Sequence, residues 1–93
     1  MRVRWLRRAL RNLEEEADYI ARDDPQAAAQ VERIAASVDL LATHPGLGRP
    51  GRVPGTRELI VTGTPYIVPY RVRDDTVEIL RVLHGARRWP EKL

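Results

Sequence analysis

Chemistry is most concentrated in one short stretch, His84-Gly85-Ala86-Arg87-Arg88-Trp89, where an imidazole, two guanidiniums and an indole fall within six residues. An imidazole gives or takes a proton near neutral pH, a guanidinium grips a carboxylate or phosphate with two hydrogen bonds, and an indole stacks on a flat ligand or caps a core. Each group also has a plainer use. A histidine ending a buried strand commonly donates to a backbone carbonyl, a tryptophan there closes one end of the core, and arginines in a tail are solvated. Just upstream, Arg57, Arg71 and Arg81 lie in strand-like sequence, where each either meets an anion or pairs with a neighbour such as Glu58 or Glu78. His44, before Pro45, reads as structural.

The elements that position these groups are three β-strands over residues 56–61, 66–72 and 77–84, runs rich in Val, Ile and Tyr. Gly63-Thr64-Pro65 and Asp74-Asp75 separate them, connectors short enough to force an antiparallel meander. In the second strand Tyr66, Val68, Tyr70 and Val72 share one face, and Ile67, Pro69, Arg71 and Arg73 the other. Tyr66 and Tyr70 read as cross-strand packing. Pro69 cannot donate to a ladder, so it requires an edge, a bulge, or a nitrogen turned away from a partner. The third strand is apolar on both faces apart from Glu78 and Arg81, which suits a central position under a helical layer.

Ahead of the meander, Arg2, Val3, Arg4 and Trp5 alternate and predict a short first strand. The period then changes. Leu6, Leu10, Leu13, Ala17, Ile20 and Ala21 form one apolar stripe, predicting a helix to about residue 22. Its start is poorly written, because Arg7 and Arg8 sit at the positive end of the helix dipole with no capping side chain, a mismatch of about 1 kcal/mol. Asp24 and Pro25 fit the cap and first position of a second helix, which carries Ala27, Ala28, Val31, Ile34, Ala35, Val38 and Leu41 to about residue 43. So short a connection makes the two helices an antiparallel hairpin. Residues 47–55, with glycines at 48, 51 and 55 and prolines at 50 and 54, form a loop bearing Arg49 and Arg52. The order β-α-α-β-β-β predicts an α+β fold, a helical hairpin on one face of a small, mainly antiparallel sheet.

Composition bounds the function. Ninety-three residues predict a single domain spanning 1–93. No apolar run approaches the roughly 20 residues of a membrane span, and the basic N-terminus lacks the apolar core of a secretory signal, so the expected location is the cytoplasm with no membrane partner. The chain has no cysteine and two distant histidines, which predicts no disulfide and no metal site. Fifteen of the 16 basic residues are arginine and the net charge is +3. That balance suits an anionic partner, nucleic acid or acidic protein. Residues 1–11 hold five arginines and no acid, residues 12–32 hold seven acids against Arg22, and residues 49–93 turn basic again. This pattern predicts a positive side built from both chain ends, opposed by an acidic helical corner.

Several segments in this order resemble the RelE/ParE superfamily of bacterial type II toxins. They are the first strand and helical hairpin, His44-Pro45-Gly46-Leu47-Gly48-Arg49-Pro50, Arg57-Glu58-Leu59, Tyr66-Ile67-Val68-Pro69-Tyr70-Arg71-Val72, and Ile79-Leu80-Arg81-Val82-Leu83-His84-Gly85 with Ala86-Arg87-Arg88-Trp89-Pro90. The resemblance spans nearly the whole chain. It implies a toxin held inactive by a cognate antitoxin, an acidic and partly disordered protein with a DNA-binding N-terminal domain, and it implies no cofactor. Two activities divide the family: RelE-like members resemble ribosome-dependent mRNA endoribonucleases, and ParE-like members poison DNA gyrase. RNA cleavage would draw on His84 and Arg81 as catalytic groups. Arg57, Arg71, Arg87, Arg88 and Trp89 would hold target or phosphate, and Arg2, Arg4, Arg7 and Arg8 the antitoxin. The sequence departs from the nuclease pattern, since its one lysine is Lys92 and no tyrosine follows Tyr70. The 47–55 segment also resembles the loop that ParE-like members carry, so the expectation is the gyrase-directed branch, with the mRNA interferase and a decayed, antitoxin-binding toxin as alternatives.

Overall fold

A computed structural model describes residues 1–23 and 26–93. Its elements in order are β1 (Arg2–Trp5), α1 (Arg7–Asp23), α2 (Ala27–Asp39), a 3-10 turn (Leu40–Ala42), β2 (Arg49–Pro50), β3 (Arg57–Ile60), β4 (Tyr66–Arg73), β5 (Thr76–Ile79) and β6 (Leu83–His84). The sheet order is β1-β5-β4-β3-β2, and β6 also pairs with β4. Among the described residues only β1 and β5 run parallel. The α+β architecture expected from the sequence is the one observed. The proposed cap on Asp24 and Pro25 lies outside the described residues.

The helices cover the face of the sheet that carries Tyr66, Val68 and Tyr70. Ile34, Val38 and Leu41, spaced four and three apart, are fully buried, together with Val77 and Ile79 of β5. On α1, among the described side chains, Ala9 is buried and Leu13 of the predicted stripe packs against the core, while Leu10 is 43% exposed, so the inward row passes through Ala9 where Leu10 was expected. Ala9, Leu13 and Glu16 form the inward row, at steps of four and three.

The meander closes as its connectors require. Asp74 and Asp75 both take positive φ, 51° and 58°, which makes a two-residue mirror-image turn whose twist matches the strands it joins. Aspartate tolerates that conformation better than most side chains. Between the pairs Tyr70 with Ile79 and Ile67 with Leu83, two residues of β4 face three of the returning chain. The predicted third strand is therefore interrupted by a bulge at residues 80–82. Pro69 lies opposite that bulge. Val61 N–H bonds Tyr66 O, so ladder alternation turns the backbone of Pro69 away from β3, where its carbonyl accepts from Leu80 N–H at 2.9 Å. The absent N–H falls where the extra residue has already broken the ladder.

One short strand was not foreseen. Arg49–Pro50, inside the glycine- and proline-rich loop, pairs with Glu58 and Arg57 of β3. The loop is held from beneath by Tyr70, whose hydroxyl donates to Pro45 O at 2.7 Å and accepts from Gly48 N–H at 2.8 Å.

Candidate interaction surface

The face of the sheet away from the helices is built by alternation. Register places Arg4 beside Glu78, Glu78 beside Arg71, and Arg73 beside Thr76, so Arg2, Arg4, Arg71, Arg73, Thr76 and Glu78 share it. Arg71 Nε donates to Glu78 Oε1 at 2.7 Å. That bond is the main reason the Glu78 carboxyl is held below the usual carboxylate range, against the opposing effect of burial; the positive charges of Arg71, Arg73 and Arg4 add to it. Beside them opens a hollow of about 470 Å³, lined by Arg2, Val3, Arg4, Arg73, Asp74, Thr76 and Glu78.

Farther along the same face a second carboxylate is buried. Glu58, 2% exposed, accepts from Arg49 Nη2 at 3.1 Å, from Arg52 N–H at 2.8 Å and from Arg52 Nε at 3.3 Å. Burial alone would raise its pKa, but the Arg52 backbone donor and the two guanidiniums outweigh it, and the net direction is down. The Arg52 guanidinium also lies over the ring of Trp89.

The tail cluster is occupied by its own contacts. His84 packs its ring edge-on against Tyr66, with centroids 5.7 Å apart, and its Nδ1 accepts from Ala86 N–H at 3.1 Å. Its carbonyl, not its imidazole, receives Trp89 Nε1 at 3.3 Å. Arg87 Nη1 bonds Glu16 Oε1 at 2.6 Å, and Tyr66 hydroxyl donates to the other oxygen at 2.7 Å. The acidic helix thus reaches the basic tail instead of standing opposite it, which corrects the charge layout expected from sequence. Glu16 lies one inward step beyond Leu13, so helical phase turns it toward the sheet.

The remaining predicted residues are dispersed. Arg57 Nη1 bonds Gly48 O at 2.8 Å rather than a carboxylate, and Arg88 is exposed. Arg81 sits in the bulge, with Nη2 3.4 Å from Lys92 O and a buried Nε that has no partner among the described residues. Burial and then Arg8 lower its pKa, partly offset by Glu15. Arg7 and Arg8 are exposed on the first turn of α1, and Arg8 Nη1 approaches Leu93 O at 3.4 Å. The structure therefore gathers Arg2, Arg4 and Arg71 on one face, and His84, Arg87 and Trp89 at the tail. Arg81 and His84 have no partner in common among these contacts. Glu16, Glu58, Arg49, Arg52 and Arg73 carry contacts that no sequence expectation assigned as site residues; alternation had placed Arg73 on the face of Arg71.

The sequence model described as "ParE toxin of type II toxin-antitoxin system, parDE" matches residues 3–89. The chain is 54% identical over 93 residues to the candidate toxin Y4kP of Sinorhizobium fredii, covering 99% of this chain and 96% of that protein. It is 40% identical over 86 residues to the toxin RelE2 of Caulobacter vibrioides, covering 91% and 96%. Among solved structures it resembles a chain of the chromosomal ParDE toxin-antitoxin system from P. aeruginosa, with a TM-score of 0.80, 33% identity and coverage of 90% and 95%. A chain of the RelBE2 toxin-antitoxin complex of Mycobacterium tuberculosis aligns with a TM-score of 0.61, 32% identity and coverage of 92% of each chain.

Proposed function

Because this chain belongs to the ParE toxin family of type II toxin-antitoxin systems, we propose that it acts by binding DNA gyrase and not by cutting RNA, and that a cognate acidic antitoxin neutralises it. The observation that carries this reading is the state of His84. An imidazole whose Nδ1 accepts a backbone N–H keeps its proton on Nε2. Nδ1 is thus occupied by the fold itself and offers no lone pair to a 2′-hydroxyl.

Three of the cations a nuclease would aim at a phosphate are also engaged, while Arg88 is exposed. Arg57 is spent on Gly48 O, Arg71 on Glu78 and Arg87 on Glu16. The closer superposition on the ParDE chain supports the same branch. Among the described residues no helix is long and apolar enough to cross a membrane. The reading places the protein in the cytoplasm with its target.

The deciding experiment assays purified toxin twice. A gyrase cleavage-complex assay is expected to show accumulation of cleaved DNA, and primer extension on translated mRNA is expected to show intact message. Ribosome-dependent cuts in the message would replace this reading with the mRNA interferase. Silence in both assays would leave a decayed toxin that only binds its antitoxin.

A further inference from the structure

The sheet has two ends, and the one farther from β1 is left unfinished. There β2 ends the sheet and pairs only with Arg57 and Glu58 of β3. Val61 N–H bonds Tyr66 O, so alternation along β3 turns the backbone groups of Ile60 outward, past the end of β2. A notch of about 290 Å³ opens at that point, lined by Leu47, Arg49, Glu58, Leu59, Ile60 and Thr62. Leu47 and Ile60, two of its apolar walls, are each more than half exposed. Arg49 and Arg52 are half exposed, and the buried Glu58 holds them in place with one carboxylate oxygen for each guanidinium. Arg49 Nε and Nη1 have no bonded partner among the described residues, and the Arg52 guanidinium rests on Trp89.

We propose that this notch, with Arg49 and Arg52 on its rim, is the surface by which the toxin grips gyrase. It takes an apolar side chain of the target between Leu47 and Ile60 and a neighbouring carboxylate on the guanidiniums. The inference rests on the gyrase reading and names its surface. Apolar walls reward the burial of an apolar side chain, and the outward N–H and C=O of Ile60 match a polypeptide backbone; duplex DNA offers neither. The two guanidiniums lose little freedom on binding, because Glu58 and Trp89 already fix them, and such preorganisation gives a small patch its affinity. Arginine and tryptophan beside an apolar pocket are residue types that dominate the energetics of protein interfaces. Arg49 and Arg52 against Glu58 leave one positive charge at the notch, which favours a partner bearing carboxylates over a second copy of a chain whose net charge is +3. The plainer role of these groups is to fasten the 47–55 loop, with Leu47 and Ile60 exposed as surface apolar residues often are; that role predicts no loss of gyrase affinity in a folded variant.

The test measures binding of purified toxin to purified gyrase, and cleaved DNA in the same mixtures. Leu47→Glu with Ile60→Glu is expected to weaken binding about tenfold or more and to lower cleaved DNA in step. Arg49→Ala, which leaves Glu58 its bonds from Arg52, is expected to weaken binding severalfold and to reduce its salt dependence. Leu10→Glu with Leu40→Glu puts the same charge on two exposed apolar positions of the helical layer and is expected to leave both readouts unchanged. Circular dichroism and melting temperature confirm that each variant is folded; if the paired glutamates cost the fold, Ile60→Ala and Arg49→Ala carry the test. Full binding and full DNA cleavage with the folded notch variants overturns the proposal, as does an equal loss in the Leu10 and Leu40 control. So does a notch variant that holds gyrase but loses duplex DNA, the antitoxin or a second copy of the chain, since the notch then serves that occupant. If the wild-type chain neither binds gyrase nor accumulates cleaved DNA, the gyrase reading fails and this inference with it; wild-type activity that ignores every change at the notch defeats the notch alone.

Discussion

The Arg52 guanidinium carbon lies 3.5 Å from the centroid of the Trp89 ring. The same guanidinium bonds Glu58, so a single side chain joins the 47–55 loop, strand β3 and the C-terminal tail. A cation over an indole face contributes about 0.5 to 2 kcal/mol, and the Trp89 Nε1 bond to His84 O about 1 more. Trp89→Ala is expected to lower stability by about 2 kcal/mol and Trp89→Phe by about 1, read from urea midpoints. An alanine variant as stable as the parent would mean that the tail is not docked on Arg52.

Glu58 supplies a pH signature. Its folded pKa is depressed, so its contribution is fully present above the ordinary carboxylate range and is lost as pH falls through the lower, folded value. Stability is expected to decline on acidification through and below about pH 4, and Glu58→Gln to flatten part of that decline. Glu58→Ala at pH 7 is expected to cost about 2 to 3 kcal/mol, because Arg52 N–H and two guanidiniums lose their acceptor. Denaturant titrations at several pH values measure both, and an unchanged slope in the glutamine variant would remove Glu58 from the account.

Tyr70 ties the loop to the core. The residue is fully buried, and Tyr70→Phe strands Gly48 N–H and Pro45 O, at an expected cost of about 1 to 3 kcal/mol. Gly48→Ala attacks the same contact from the other side, since a Cβ there would lie 2.6 Å from Tyr70 Cε1 and 2.9 Å from Glu58 O. Both variants are expected to melt earlier than the parent. A Gly48→Ala protein with unchanged melting temperature would show that this packing is looser than drawn.

His84→Ala separates structure from catalysis. Removing the Nδ1 acceptor and the edge contact with Tyr66 is expected to cost about 1 kcal/mol and to leave growth inhibition nearly intact. Loss of toxicity in a variant that still folds and binds its antitoxin would assign the imidazole a chemical role and favour the nuclease.

Most of the architecture was legible because two periodicities are written clearly: period two in β1 and β4, and steps of three and four in α1 and α2. The connectors Gly63-Thr64-Pro65 and Asp74-Asp75 fixed the meander. The break at residues 80–82 was hidden because the run from Val77 to Leu83 is apolar on both faces apart from Glu78 and Arg81, and two polar positions do not by themselves locate a slip of one residue. Pro69 announced that something interrupted the ladder without saying on which strand. The Glu58 cluster was out of reach for a different reason. Its partners Arg49 and Arg52 sit on a loop whose path depends on Tyr70, and Tyr70 reads from sequence only as an alternating apolar side chain. Glu16 and Arg87, 71 positions apart, likewise meet only once the tail has folded back onto α1.

The pairing of β1 with β5 sets the order in which the sheet can be finished. Arg2–Trp5 leave the ribosome long before Thr76–Ile79, the one segment they hydrogen-bond to in the sheet. A growing polypeptide can close the β4–β5 turn locally, but its first strand waits for a neighbour that is translated near the end. The arginine-lined hollow, which needs both, does not exist on a chain cut short before Thr76.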